Sequence, residues 1–522
     1  MRNFAYESDS DESSTGSADT TPSRDWETPL DSFDTLVVLS NRQPYRHTRD
    51  ADGSLAVDRP TGGLTAALDP VCQRAGGTWI AWGDGDGDRQ VVDENDRVDV
   101  PPTDPSYTLE RVWIDDDLAD TYYSGYSNRL LWPICHGAVD EAKIRPGDYD
   151  GYRRVNERFA ERVVPHVSGE SLIWVQDYHF ALVPAMIRER VPPSTTIGQF
   201  WHVPWPKPET FSRVPQARAL LDGLLGADVL SFHVRRFADR FLTCVEYFLD
   251  DASVDWDASV VSYDGSDTQV VAVPLGIDAD EHARRSQNLD DGVYETLSAE
   301  LSIPDGTLLG LGVDRLDYAK GIEERLEAIE TLFERRPRWR ESVTFVQTTT
   351  PSRTDIPAYA AYGKRVRRVV DRVNERFGTD SWQPIVYTES YLTRDQLTAL
   401  YRNADCLLVT SLADGMNLVS KEFVAASVDE TGVLCLSDQT GAHDALGDVA
   451  NTIDPTDRES VWRTIDDALR MPVREQRVRM RTLRARTAER SLSWWMSTLF
   501  ETFAAATPDR SISPQGYPTD GT

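Results

Sequence analysis

Two rhythms of apolar and polar positions alternate along the chain. Short runs rich in β-branched and aromatic residues, bounded by Gly, Pro or Asp, read as strands: TLVVLSNR (35–42), GGTWIAWG (76–83), SLIWVQDYH (171–179), TIGQFWHVPWP (196–206) and DVLSFHV (228–234). Between them, GYRRVNERFAERVVP (151–165) and ETFSRVPQARALLDGLL (209–225) repeat their apolar positions at helical spacing. A second series follows: LLGLGVDRLD (308–317), VTFVQTTTP (343–351), PIVYTES (384–390), DCLLVTS (405–411) and VLCLSD (433–438). Helical segments such as GIEERLEAIETLFERR (321–336) separate these runs too. Such alternation predicts the α/β class, with parallel sheets covered by helices on both faces.

The two series meet at VVAVPLGID (270–278), where a strand-like run ends in Pro-Leu-Gly before a polar helix. The expected organisation is two doubly wound, Rossmann-like domains, residues 35–275 and 276–486. They would face each other across a cleft at the carboxyl ends of both sheets. TAERSLSWWMSTLFETFAAA (487–506) is expected to pack back on the first domain. Residues 1–34 and 507–522, polar and poor in hydrophobics, are expected to be disordered tails.

Charge narrows the function classes. A net charge of −31, from 86 acidic against 55 basic residues, excludes a generic surface for nucleic acid or anionic lipid. No apolar run approaches the ~20 residues that cross a bilayer, and residues 1–30 lack an apolar signal core. The reading is a cytoplasmic protein without membrane contact. Only five of the 55 basic residues are lysines (143, 207, 320, 364 and 421). Abundant acid with scarce lysine resembles proteins of salt-loving cytoplasms, where a Debye length of about 3 Å near 1 M salt screens surface repulsion. The five cysteines (72, 135, 244, 406 and 435) show no C-x-x-C pair and no metal spacing, so buried free thiols are expected. DGDGDRQVVDEN (84–95) is an acidic loop rather than a calcium loop, because Arg89 and Asn95 stand where Gly and Glu are needed.

Candidate chemistry gathers at the predicted strand ends. In VDRLDYAKG, Arg315 and Lys320 follow a strand and would neutralise a diphosphate, one by forked hydrogen bonds and one as a point charge. Salt bridges to Asp314 or Asp317 are the alternative. In SLADGMNLVSKEF, a turn at Asp414-Gly415 begins a helix whose N-terminal N–H groups suit phosphate oxygens. Glu422, one turn further on, suits ribose hydroxyls. The alternative there is an N-cap at Asp414 and a solvated Lys421–Glu422 face. VQDYH sets Asp177 and His179 at one strand end, and FWHVPWP sets His202 at the next. Trp201 and Trp205 beside them suit a sugar pocket, since aromatic faces stack on sugar rings. Arg42 in SNR, Arg353 in TPSR, and Tyr123 and Trp132 in YYSGYSNRLLWP complete a cationic and aromatic set.

Taken in order, SNR, TGGL, YYSGYSNRLLWP, VQDYH, FWHVPWPKPETF, VDRLDYAKG, TPSR and DGMNLVSKEF resemble the trehalose-6-phosphate synthases. These are retaining glucosyltransferases of the two-domain GT-B fold, and the resemblance spans residues 36–505. It implies a nucleotide-glucose donor and a glucose 6-phosphate acceptor, without cofactor or metal. On the donor side it implies Arg315 and Lys320 on the diphosphate, assisted by backbone of Asp414, Gly415, Met416, Asn417, Leu418 and Val419. Glu422 would bind the ribose, and His202 and Asp414 the transferred glucose. Gly62 and Gly63 would allow close backbone approach. The implied catalytic set is Arg315, Lys320, His202 and Asp414. On the acceptor side, Arg42, Tyr123, Trp132 and Arg353 would grip glucose 6-phosphate, with Asp177 on a sugar hydroxyl.

Three departures from the family pattern stand out. Asp314 replaces a glutamate, SDQTGAH (437–443) stands where SEFAGAA is usual, and Asp454-Pro455 replaces Asn-Pro. The departures concern the donor-base side, are expected to spare the diphosphate and acceptor residues, and leave the choice among UDP, GDP and ADP open, with UDP-glucose favoured. A double displacement needs a carboxylate close behind the anomeric carbon, and the sequence names none. The resemblance implies front-face substitution instead. Two rival readings remain open: a synthase using another phosphorylated acceptor such as glycerol 3-phosphate, and a catalytically silent sugar-phosphate-binding regulator. A homo-oligomer is compatible with each.

Overall fold

A computed structural model describes residues 27–50, 52–59 and 63–506. Residues 1–26 and 507–522, most of the expected tails, and Gly62 lie outside the described residues.

The first series of strands forms a ten-stranded sheet. Seven strands run parallel through its centre, in the order Ser266–Ala272, Val229–Phe232, Thr196–Phe200, Ser171–Gln176, Thr35–Ser40, Thr78–Trp82 and Tyr107–Val112. Antiparallel strands finish both edges: Arg97–Val100 on one side, Val260–Tyr263 and Ser253–Asp255 on the other. The second series forms a six-stranded parallel sheet, ordered Ile385–Thr388, Val343–Thr350, Leu308–Arg315, Cys406–Val409, Val433–Ser437 and Asn451–Ile453. Central strands such as Ser171–Gln176 and Val433–Ser437 are buried at every position. Burial on both faces is why they read as continuous apolar runs instead of alternating ones.

Topology decides where the functional ends fall. The chain runs outward from Thr35–Ser40 to Tyr107–Val112, then returns to Ser171–Gln176 and proceeds the other way. The order therefore reverses between Thr35–Ser40 and Ser171–Gln176. In the second sheet it reverses between Leu308–Arg315 and Cys406–Val409. Carboxyl ends on either side of such a reversal splay apart and leave a crevice. Those ends carry Arg42, Asp177, Arg315 and Asp414.

The helix Leu492–Ala505 lies on the first sheet, with Trp495 and Phe500 packed on Trp174 and Phe503 filling the space over Gly198. Residues 27–30, expected within a tail, form a helical turn because Leu30 is buried in the same core as Leu499 and Phe500. The predicted helix over 209–225 is two, Pro208–Phe211 and Ala217–Leu224, since Pro215 between them has no N–H to continue the ladder. The motif YYSGYSNRLLWP, for which the sequence predicts no element, is the π-helix Asp120–Leu131 running into the helix Trp132–Cys135. The acidic loop is anchored: Asp88 is fully buried, 3.1 Å from Arg111, and accepts the N–H groups of Gly85 and His47. All five cysteines are buried free thiols.

Candidate active site

Arg315 and Arg353 leave the second sheet, yet both guanidiniums lie over one indole of the first half. Their central carbons stand 5.3 and 3.9 Å from the ring centre of Trp132. Arg353, at a φ of +50°, is held by Asp317 at 3.2 Å and by the hydroxyls of Tyr359 at 2.7 Å and Tyr178 at 3.3 Å. Its buried Nε has no partner among the described residues. Tyr123 joins the cluster. Burial alone would raise its phenol, but Arg353, Arg42 and Arg315 together hold it below its ordinary value. Burial lowers Arg315, and the like charges of Arg353 and Arg42 push it the same way against Asp317. Three guanidiniums thus outnumber the carboxylates of Asp177 and Asp317, and a bound anion would balance them. The acceptor residues predicted from sequence do come together.

Asp177 takes a φ of +71°, and its Oδ1 accepts the His202 N–H at 3.2 Å. Burial pushes it up to about 6, opposed by that bond, the Tyr178 N–H, Arg353 and Arg315. His179 lies parallel to Tyr123 at 5.9 Å, with both ring nitrogens buried and, among the described residues, unpartnered. Burial, reinforced by Arg353 and Arg42, holds it far below its normal range, so the ring is neutral. His202 is driven down to about 3 by burial, and its Nε2 donates to Gln176 Oε1 at 2.9 Å. That bond leaves the lone pair on Nδ1. Trp201 and Trp205 do not stack on a sugar. Both are fully buried, 4.8 Å apart, and Trp205 sits among Phe211, Phe232 and Phe241. Their apolar bodies gain more from that core than from an exposed wall.

In the second half, Lys320 ignores both nearby aspartates and donates to Asp414 Oδ2 at 2.6 Å. Asp314 instead pairs with buried Arg325 at 2.6 Å, and Asp317 with Arg353. Burial would raise Asp414, but Lys320 and Asn417 outweigh it and lower its pKa. The helix does not begin at Asp414. It spans Leu418–Ala426, capped by Asn417 at a φ of +77°, whose Oδ1 accepts the Ser420 N–H at 3.0 Å. Of the implied donor backbone, only Leu418 and Val419 belong to its first turn. Packing by itself requires a bare backbone at Gly415. A Cβ there would stand 1.9 Å from the His202 carbonyl oxygen, so this is a close approach between the halves. Contrary to expectation, Ser437–His443 does touch the donor turn: Gln439 O accepts from Asp414 N–H at 3.2 Å, and Ala442 N–H donates to Met416 O at 2.7 Å. Arg236 of the first half clasps this segment through Thr440 O at 2.7 Å and through Asp444.

Lys421 and Glu422 face opposite ways. Glu422 is half-buried and accepts the Tyr401 hydroxyl at 3.0 Å. Lys421 is no solvated group: it is 2% exposed, and its Nζ donates to Leu275 O, where the chain crosses between sheets, at 2.5 Å. Burial pushes it down to about 7, with Arg490 adding to the shift. The unfolded chain holds that proton up to its usual value near 10.5, so above pH 7 the unfolded state binds more protons and stability rises with pH. Between pH 7 and 9 the urea midpoint of the parent is expected to climb relative to Lys421→Met. Midpoints that run parallel would disprove a buried, readily neutralised lysine.

Several residues of the cleft escaped the sequence reading. His136 stacks on Trp132 at 4.0 Å, its Nδ1 lies 2.8 Å from Trp132 O, and burial lowers it to about 4. Its place four residues beyond Trp132 on a helix-compatible run was the available signal. Tyr178 and Tyr359 gave none, because their partner Arg353 is distant in chain or on another element. Gly63 is the first residue of the helix Gly63–Ala75. Among the described residues, no group of three or more His, Cys, Asp or Glu is placed to hold a metal ion, and no helix is long and apolar enough to cross a membrane.

Known proteins resemble this chain in sequence and in fold. The family model "Glycosyltransferase family 20" matches residues 34–505. A trehalose-6-phosphate synthase of Mycobacterium avium is 36% identical over 482 residues, covering 91% of this chain and 96% of that protein. A UDP-forming alpha,alpha-trehalose-phosphate synthase of Botryotinia fuckeliana is 33% identical, covering 88% and 87%. Among solved structures, the Escherichia coli protein bound with UDP-2-fluoro glucose superposes with a TM-score of 0.80 at 29% identity, covering 92% of this chain and all of that one. The Burkholderia xenovorans UDP-forming synthase in complex with glucose-6-phosphate gives 0.80 at 30% identity, covering 90% and 99%.

Proposed function

Since this chain belongs to glycosyltransferase family 20 and has the GT-B fold, we propose that it transfers glucose, with retention, from UDP-glucose to glucose 6-phosphate, forming α,α-trehalose 6-phosphate. The observation that carries this reading is the Trp132 indole shared by Arg315 and Arg353. One gap between the halves gathers the cations that two anionic substrates require. The curated relatives bear the same activity in their names. Residues 35–275 would form the acceptor lobe and 276–486 the donor lobe.

In this reading Arg353, Arg42, Tyr123 and Trp132 hold the acceptor phosphate, and Asp177 a sugar hydroxyl. Lys320 has three N–H donors and, among the described residues, one partner, Asp414, so two remain for diphosphate oxygens. Arg315 supplies the second fixed cation, and the first turn at Leu418 adds the helix dipole. Each carboxylate at the strand ends is already engaged: Asp317 by Arg353, Asp414 by Lys320, Asp177 by the His202 N–H. Held groups position substrates. They favour front-face substitution, in which the anomeric C–O bond to the diphosphate breaks, the acceptor oxygen bonds to that carbon, and its proton passes to the leaving diphosphate oxygen.

Incubation with glucose 6-phosphate and UDP-, GDP- or ADP-glucose, followed by identification of the product, tests the proposal. Trehalose 6-phosphate formed fastest from UDP-glucose is the expected result, and no disaccharide phosphate with any donor overturns it. The same incubation with glycerol 3-phosphate separates the rival acceptor. The acid excess is further read as adaptation to a salt-rich cytoplasm. The melting temperature is expected to fall as salt is withdrawn, because repulsion among the surplus carboxylates is then unscreened; one unchanged between low and molar salt contradicts it.

A further inference from the structure

The π-helix that carries Tyr123 also carries a buried amide reaching both sides of the acceptor pocket. Asn128 is 1% exposed. Its Nδ2 donates to the Tyr123 carbonyl oxygen at 2.8 Å, and its Oδ1 accepts the Tyr178 hydroxyl at 2.8 Å. A phenol has one proton. With that proton given to Asn128, the Tyr178 oxygen presents a lone pair to Arg353, whose NH2 donates to it at 3.3 Å. One side chain therefore fixes the backbone of Tyr123 in the first half and, through Tyr178, the guanidinium of Arg353 from the second. An uncharged group of this size that donates and accepts at once is what the position requires. A carboxylate lacks the donor, and an aliphatic chain leaves the Tyr178 hydroxyl proton without its acceptor and takes a donor from the Tyr123 carbonyl.

We propose that Asn128 is a positioning residue for the acceptor: it sets Tyr123 and Arg353 in register, so that the grip on the glucose 6-phosphate phosphate is assembled before substrate arrives. The inference rests on the proposed function, in which these two residues bind that phosphate. Tyr178 packs beside Trp132, with ring centroids 5.9 Å apart, so a shift of Tyr178 would also disturb the indole beneath Arg353.

The test is steady-state kinetics in both substrates on the full chain, for the parent, Asn128→Leu and Asn128→Asp. For Asn128→Leu, KM for glucose 6-phosphate is expected to rise about tenfold, the effect of one lost buried hydrogen bond, with KM for UDP-glucose within about twofold of the parent. Asn128→Asp supplies a readout that a merely structural role would not move. Deprotonated, its carboxylate repels the Tyr123 carbonyl; protonated, it reproduces the donor and acceptor of the amide. The ratio of its acceptor KM to the parental value is therefore expected to fall as pH drops from 8 to 6, since burial raises a carboxyl pKa. Equal rises in both KM values, parental values throughout, or a ratio flat with pH overturn the inference. Should Asn128→Leu fail to fold, the pH ratio of Asn128→Asp decides alone. An active parent with unaffected variants sinks this inference only, whereas a parent that forms no disaccharide phosphate sinks the proposed function and this inference together.

Discussion

Arg315→Ala is expected to lower kcat about 10²–10³-fold, the usual cost of deleting one preorganised group that stabilises charge developing in the transition state. Arg315 is the cleanest cation to remove. Its sequence neighbours Asp314 and Asp317 are engaged by Arg325 and Arg353, so its loss leaves no carboxylate stranded. Two like charges, Arg353 and Arg42, already oppose it, which is why the fold is expected to tolerate its removal. Glucose 6-phosphate should still bind within about threefold of the parent, because both of those guanidiniums remain to hold the phosphate. Calorimetric titration with glucose 6-phosphate beside single-turnover rates separates the two effects, and near-parental turnover would remove the mechanism. Lys320→Ala should abolish turnover as well, but it strips Asp414 of its buried partner and so unsettles the donor turn at the same time.

Gly415→Ala is the second large effect, and a steric one. The new methyl would lie 1.9 Å from the His202 carbonyl oxygen, where no such contact is tolerated. Relief in place is blocked because Gly441 is pressed against the other side of the turn, where its own Cβ would be 2.0 Å from Gly415 O. The halves must therefore part by about an ångström, a displacement that by itself costs on the order of 100-fold when substrates are bound on opposite sides. Turnover should collapse while the melting temperature hardly moves, since neither sheet is touched. An active Gly415→Ala protein would show that His202 and the turn do not meet in the catalytic state.

Much of the site was legible because strand ends are legible. SNR, VQDYH, FWH, VDR, TPSR and LADG each follow an apolar run, and each places its polar group at a carboxyl end in the structure. Less legible was which polar group serves and which is packing. Trp201 and Trp205 carry the same aromatic signal as Trp132, yet only Trp132 faces the guanidiniums. Lys421 and Glu422 adjoin in sequence, yet the helix turns one into the crossing between sheets and the other towards Tyr401.

The order of strands and helices, the breaks between them and the residue types at the strand ends were determined by the sequence itself, because apolar periodicity, proline and glycine act within a few residues. Only tertiary structure decided the partners. Lys320 passes over Asp317, three positions back, for Asp414 at the end of another strand, and Arg353 takes Asp317 instead. A buried charge settles on whichever opposite group lies nearest through space, and that distance exists only once two parallel sheets have set their reversals face to face.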